Sequence, residues 1–151
     1  MKVTVTGFLF NNNKVLFVLH KKLGKWMHVG GHLEEDEFYE EALKREVMEE
    51  TNLEIQIINE PYPFGTAELT AHHPLNIKKE SKEGNRKICI DFVALVKNPE
   101  SISLQKEELL DYRWLREQDM DNLDTFEEIK KLAKKAFKIQ RDHLKIRQDN
   151  S

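Results

Sequence analysis

Glu46, Glu49 and Glu50 stand at positions i, i+3 and i+4, so on a helix their side chains project to one side. Three carboxylates crowded together repel one another and raise each other's pKa unless a cation neutralises them. A hard divalent ion with oxygen ligands suits such a group. The surrounding segment, Gly31 to Leu53, reads GHLEEDEFYEEALKREVMEETNL and carries further acids at Glu37 and Glu40.

A helical wheel separates these acids into two sets. At ~100° per residue, with Glu46 at zero, Tyr39, Ala42 and Leu43 fall within about 60° and Phe38 and Val47 mark the edges of that arc. Glu37, Glu40, Glu41 and Lys44 fall opposite, where a solvated face belongs. Glu46, Glu49 and Glu50 therefore continue the apolar stripe, toward the rest of the protein. A charged solvent face, the common reason for helical acids, accounts for Glu37 to Glu41 and not for the other three. Inward carboxylates need partners, and Arg45 supplies only one.

Gly31, five residues, Glu37, seven residues, then Arg45-Glu46-Val47-Met48-Glu49-Glu50-Thr51-Asn52-Leu53 resembles the Nudix box, the signature of the Nudix hydrolases. Every charged position of the pattern is present. Asn52 stands where the family has glycine, at a helix end that wants the left-handed conformation; asparagine tolerates it best among the other residues. Upstream, the common Pro-Gly-Gly becomes Val29-Gly30-Gly31, which keeps both glycines.

The resemblance implies hydrolysis of a nucleoside diphosphate linked to another moiety, with water attacking phosphorus. It implies Mg2+, with Mn2+ as a substitute, held by Glu49 and Glu50, while Glu46 binds metal or orients the water as base. The Gly30 carbonyl is the implied backbone ligand, and Arg45 orients carboxylates by a charge-assisted hydrogen bond. Family members often add an acid from a loop ahead of a late tryptophan. Glu107 and Glu108 precede Trp114 here, and Glu108 has the better spacing; a surface pair is the alternative.

The elements that position these residues follow from periodicity. β-type runs occur at Val3–Phe10, Val15–His20, Leu53–Ile58, Ile88–Val96 and Tyr112–Leu115, with a turn at Asn11-Asn12-Asn13. One helix is expected from Asp36 to Thr51. A second begins near Thr125, with Thr125 and Glu128 as a capping box and Ile129, Leu132, Ala133, Ala136 and Phe137 as its apolar stripe. This is an α/β chain, and the resemblance implies a three-layer α/β/α sandwich around a mixed sheet. Residues 1–151 form a single domain in this reading, Pro74 to Lys87 a mobile polar loop, and the tail after His143 (about 144–151) a frayed end.

Composition bounds the rest. With 151 residues, 39% hydrophobic and 34% charged, the chain has room for a real core. No apolar run is long enough to span a membrane and no signal peptide opens the chain, which points to the cytoplasm. Cys89 stands alone in an apolar run, excluding intrachain disulfides and cysteine zinc sites. His28, His32, His72 and His73 lack zinc-ligand spacing. A net charge of −3 argues against nucleic acid as partner; a small nucleotide is the expected one, and a homodimer is compatible with the reading.

Substrate contacts are less specified. Lys25, with His20, Lys21 and Lys22, is placed to meet phosphates, although a basic hairpin edge is the commoner explanation. Trp26, beside the glycines, is placed to stack on a base or to pack. Glu60-Pro61-Tyr62-Pro63-Phe64 lacks the serine, glutamine and tryptophan of the NADH pyrophosphatase motif and reads as a strand-ending loop. Two other classes compete with this reading. A Nudix-fold binding module without turnover usually loses box acids, and this chain keeps them. An isomerase of isopentenyl diphosphate type needs a cysteine and a glutamate, and only Cys89 is available.

Overall fold

The computed structural model describes residues 1–63 and 71–149. Its centre is β1 (Lys2–Asn11), which turns at Asn12 (φ 54°) into β2 (Lys14–His20). Two short strands, β3 (Trp26–Met27) and β4 (Val29–His32), lead into helix α1 (Tyr39–Thr51). Then come β5 (Ile55–Ile57), β6 (Asn76–Lys82), β7 (Asn85–Val96), β8 (Leu109–Leu115) and helix α2 (Glu127–Asp149). Among the described residues the sheet has eight strands, with the path β3-β2-β1-β7-β5 and with β4 on β1, β6 on β7 and β8 on β2. It is mixed, because β1 runs parallel to β7 and antiparallel to β2 and β4.

Alternation along β1 creates the layers. Val5 and Leu9 bury one face against Ala42, Leu43 and Val47 of α1. Phe8 and Phe10 bury the other against Ala133, Ala136 and Phe137 of α2, with the Phe10 and Phe137 rings edge to face at 4.9 Å. One helix thus covers each face of the sheet, giving the expected α/β/α sandwich. Among the described residues no helix is long and apolar enough to cross a membrane.

Several boundaries differ from the periodicity reading. Pro74–Lys87 is no loop: β6 pairs antiparallel with β7 from Asn76↔Asp91 to Lys82↔Asn85. Its tight turn is made by Glu83 and Gly84, both at positive φ. The strand was hidden because its half-buried positions, Asn76, Lys78 and Glu80, are polar, and Lys78 satisfies its charge on Glu80 and Glu128. Nor does the tail fray after His143, since α2 continues to Asp149; Leu144, Lys145, Arg147 and Gln148 are good helix formers and no glycine or proline interrupts them. Ser151 and its neighbour lie outside the described residues.

Helix starts also moved. Asp36 has φ 66°, which no helix allows, and α1 begins only at Tyr39. Thr125 does not cap α2. Its hydroxyl has no hydrogen-bond partner among the described residues, and the Phe126 carbonyl accepts the first helical bonds from Ile129 and Lys130. Strand β5 is shorter than expected, and β8 starts earlier, at Leu109.

Candidate active site

Strand β4 brings Gly30 and Gly31 under the second half of α1. Gly31 pairs with Val5, whose side chain faces α1, so a Cβ on Gly31 would point the same way. There it would overlap the carboxyl group of Glu46. A Cβ on Gly30 would instead strike the backbone of Val5 and Thr6 in β1. Both glycines are therefore dictated by close approach, one to an acid and one to a strand.

Glu50 is the buried member of the acid cluster, 6% exposed, whereas the Glu49 side chain is 56% exposed and that of Glu46 17%. Burial pushes the Glu50 carboxyl up to about 8, with the charges of Glu46, Glu108 and Glu49 adding to the rise and a Gly30 backbone hydrogen bond opposing it. Its Oε2 atom is buried without a hydrogen-bond partner among the described residues. Such an oxygen is costly unless something satisfies it.

Arg45 organises the other acids. Its Nη1 donates to Glu46 Oε1 at 2.9 Å and to Glu49 Oε2 at 3.2 Å, and Nη2 donates to the His32 carbonyl at 3.0 Å. The opposite edge is held by Glu37, through Nε–Oε2 at 2.7 Å and Nη2–Oε1 at 3.0 Å. Glu37 is thus not a solvated helix residue. It precedes the helix, and the bend at Asp36 folds it back onto Arg45. Glu40 is not solvated either: it is buried and accepts the His72 backbone N–H at 2.7 Å and pairs with His72 Nδ1 at 2.9 Å. Conversely Tyr39, placed by the wheel on the packed arc, is 42% exposed.

Glu108 lies just ahead of β8, and its carbonyl accepts the Lys21 N–H at 2.9 Å. Its charge reaches Glu50, so the loop acid stands on the same side as the helix acids. His20 is nearby. Burial pushes its ring below the ordinary value, Glu108 pulls it part-way back, and His28 adds to the fall. Asn52 closes α1 with φ 61°, the left-handed conformation, and its N–H donates to the Met48 carbonyl at 2.9 Å.

Trp26 and Lys25 are engaged elsewhere. The Trp26 ring lies in the α2-side core with the Arg113 guanidinium 4.4 Å over it, and Lys25 Nζ bonds Asp124 at 2.6 Å. Packing thus accounts for Trp26, and an ion pair for Lys25. The Cys89 thiol contacts Glu80 at 3.9 Å, but burial pushes its pKa up and Glu80 is paired with Lys78 and Lys87. The Glu60–Phe64 motif is only partly described: Pro61 bridges His72 and Tyr62 packs on His73, while Phe64 lies outside the described residues.

The NUDIX domain model matches residues 1–137. This chain belongs to the Nudix family. Nudix hydrolases act on phosphorus-containing anhydrides, and this is such a hydrolase. A solved Nudix hydrolase from Clostridium perfringens is 26% identical, with a TM-score of 0.79 over 91% of this chain and 97% of that one. Two others share the fold at lower identity. A MutT Nudix hydrolase from Burkholderia pseudomallei has 14% identity and a TM-score of 0.68, covering 89% and 96% of the two chains. A Caenorhabditis elegans Ap4A hydrolase has 17% and 0.67, covering 89% and 94%.

The acids of this Nudix site suit a divalent metal by donor type. They are all oxygen, mutually repelling, and include one buried oxygen without a hydrogen-bond partner among the described residues. Among the described residues no three histidine, cysteine, aspartate or glutamate side chains converge on one point as they stand. Arg45 draws Glu46 and Glu49 to itself while Glu50 turns toward Gly30. Glu37, Glu40 and Asp91 were missed by the wheel and run analysis. Asp91 had a signal, being a lone acid in the apolar run Ile88–Val96.

Proposed function

We propose that this Nudix protein is a Mg-dependent pyrophosphohydrolase, with Mn2+ as substitute, that cleaves the diphosphate linkage of a nucleotide or nucleoside-diphosphate derivative. The observation that carries this reading is Glu50: a buried carboxylate oxygen with no hydrogen-bond partner among the described residues, in the field of three other carboxylates. A cation is the partner that such a group lacks.

In this reading Glu46, Glu49 and Glu50, the Gly30 carbonyl and Glu108 hold the metal. When bound, the ion supplies charge neutralisation on the phosphates and an acidified water. Arg45 keeps the Glu46 and Glu49 carboxylates oriented through one planar guanidinium, which a point charge on a flexible stem would not do. Glu46, against Gly31, holds metal or takes the proton of the attacking water. Glu108, across from Glu50, adds a further acid from outside the helix.

The test is a screen of nucleoside triphosphates, dinucleoside polyphosphates, nucleotide sugars and dinucleotide cofactors with Mg2+ or Mn2+, with products read by chromatography. Ap4A-like and UDP-linked compounds enter first, because proteins named for such substrates share this fold. Metal-dependent release of two phosphorylated products supports the reading. Tight binding of one compound without cleavage of any would make the protein a binding module instead.

A further inference from the structure

Asn76, Asp91, Thr6 and Gly30 stand in one row across four strands: Asn76 pairs with Asp91, Asp91 with Thr6, and Thr6 with Gly30. Register partners share a face of the sheet. Gly30 ends the row without a side chain, and His28, two residues earlier, reaches Asp91 instead. His28 Nε2 lies 2.8 Å from Asp91 Oδ1, the Thr6 hydroxyl donates to the same oxygen, and Asn76 Nδ2 donates to Oδ2 at 3.1 Å. Asp91 is 3% exposed, and the His28 ring is stacked on Phe8 at 4.6 Å.

A buried polar group of this kind is expensive. Burial pushes the Asp91 carboxyl up, and the bonds from His28, Thr6 and Asn76 outweigh it, leaving the group below its ordinary value. Well-packed apolar side chains in such a place are often at least as stabilising. The adjoining row shows the apolar solution, with Phe8 and Val93 in the α2-side core. Stability alone therefore does not explain Asp91, whereas placement does. Its hydrogen bonds grip Gly30 from two directions: Thr6, its partner across the ladder, and His28, two residues before it in the chain.

We propose that Asp91 is a positioning residue of the active site, which through His28 and Thr6 fixes the Gly30–Gly31 backbone beneath the α1 carboxylates. Asp91 touches no reacting group. Its effect passes through β4, whose opposite face meets Glu46 at Gly31. The inference rests on the metal-dependent reading above.

The test compares His28→Ala, His28→Gln, Asp91→Ala and, as control, Val93→Ala, with kcat, KM and Mn2+ affinity measured below the melting point of every variant. Loss of such a supporting partner should cost about 10–100-fold in kcat and in Mn2+ affinity, read by the resonance of free Mn2+, with KM changed much less. His28→Gln, whose amide nitrogen falls near the place of Nε2, should recover most of both. Val93→Ala should alter neither. Equal effects in Val93→Ala and His28→Ala would overturn the proposal, as would a His28→Gln variant no better than His28→Ala. Should Asp91→Ala fail to fold, the His28 pair decides alone. A wild-type chain that binds Mn2+ but cleaves nothing refutes the hydrolytic reading, while the Mn2+ affinities of the His28 variants still decide the role of Asp91.

Discussion

Arg45 and Glu37, eight residues apart, face each other edge to edge: Nε meets Oε2 at 2.7 Å and Nη2 meets Oε1 at 3.0 Å. This bidentate pair aims the remaining nitrogen at Glu46 and Glu49, so Glu37 acts on the site through Arg45 rather than by touching it. Arg45→Lys should therefore lower turnover by about 10–100-fold, because a lysine cannot hold two edges at once. Glu37→Gln should lower it by less, and Glu41→Gln not at all. The hydrogen bond from Arg45 holds the Glu37 carboxyl below its ordinary value, so the contact is complete above that value and is lost only as pH falls through the depressed one. The Glu37→Gln defect in kcat should accordingly stay constant across neutral pH. A defect that varies there would place Glu37 in a titrating role.

How much of this was visible in the sequence depends on what each residue does. Glu46, Glu49 and Glu50 could be read as one cluster because helical spacing sets them on one side. The inward turn expected of all three holds for Glu50 and not for Glu49, whose side chain is 56% exposed. Val5, Leu9, Phe8 and Phe10 could be read because a strand between two helices alternates which helix it meets. The role of Glu37 could not, since a wheel assumes a continuous helix and Asp36 breaks it. Strand β6 escaped for a related reason: it is stabilised by ion pairs and ladder bonds, which leave no hydrophobic period. Nor could periodicity show what satisfies Asp91, whose partners come from three distant segments.

Glu50 makes the metal-free protein pH-sensitive. A carboxyl raised from 4.5 to about 8 favours the protonated form in the folded state, so its stabilising effect is full below the unfolded value and is lost as pH rises through about 8. Stripped wild type should melt roughly 5 °C or more lower at about pH 9 than at about pH 6, beyond the change shown by Glu50→Gln. Mg2+ should restore the wild type at the higher pH and leave the variant unmoved. The same Glu50→Gln change, and Glu49→Gln, should reduce Mg-dependent phosphate release by orders of magnitude. Parallel melting curves for wild type and Glu50→Gln, or turnover at the wild-type rate in both glutamine variants, would remove the acids from the metal site.

The two glycines of β4 should fail in different ways. Alanine at Gly31 would displace the Glu46 carboxyl, the far end of a flexible side chain, so Gly31→Ala should fold and lose activity. Alanine at Gly30 would meet β1 backbone, which cannot swing aside, so Gly30→Ala should lower the melting temperature first. Thermal melts alongside kcat separate the two. Equal loss of stability in both variants would mean that Glu46 does not rest against Gly31.

Glu107 and Glu108 are both exposed and adjacent, so exposure does not distinguish them. Electrostatics does, because Glu108 is among the main causes that raise the Glu50 carboxyl and pull His20 upward, and Glu107 is among neither. The backbone explains the difference: the Glu108 carbonyl is tied to the Lys21 N–H, beside the register pair His20↔Leu109, which holds this residue at the end of β2. Glu108→Ala should therefore reduce turnover by about tenfold or more, as expected for a group supporting a metal, and Glu107→Ala should leave it unchanged. In the metal-free protein Glu108→Ala should also shift the Glu50 titration downward, since a repelling charge is gone, and NMR of the labelled carboxyl would report it. Equal, negligible effects of both alanines would return Glu108 to the surface and leave the helix acids to act without it.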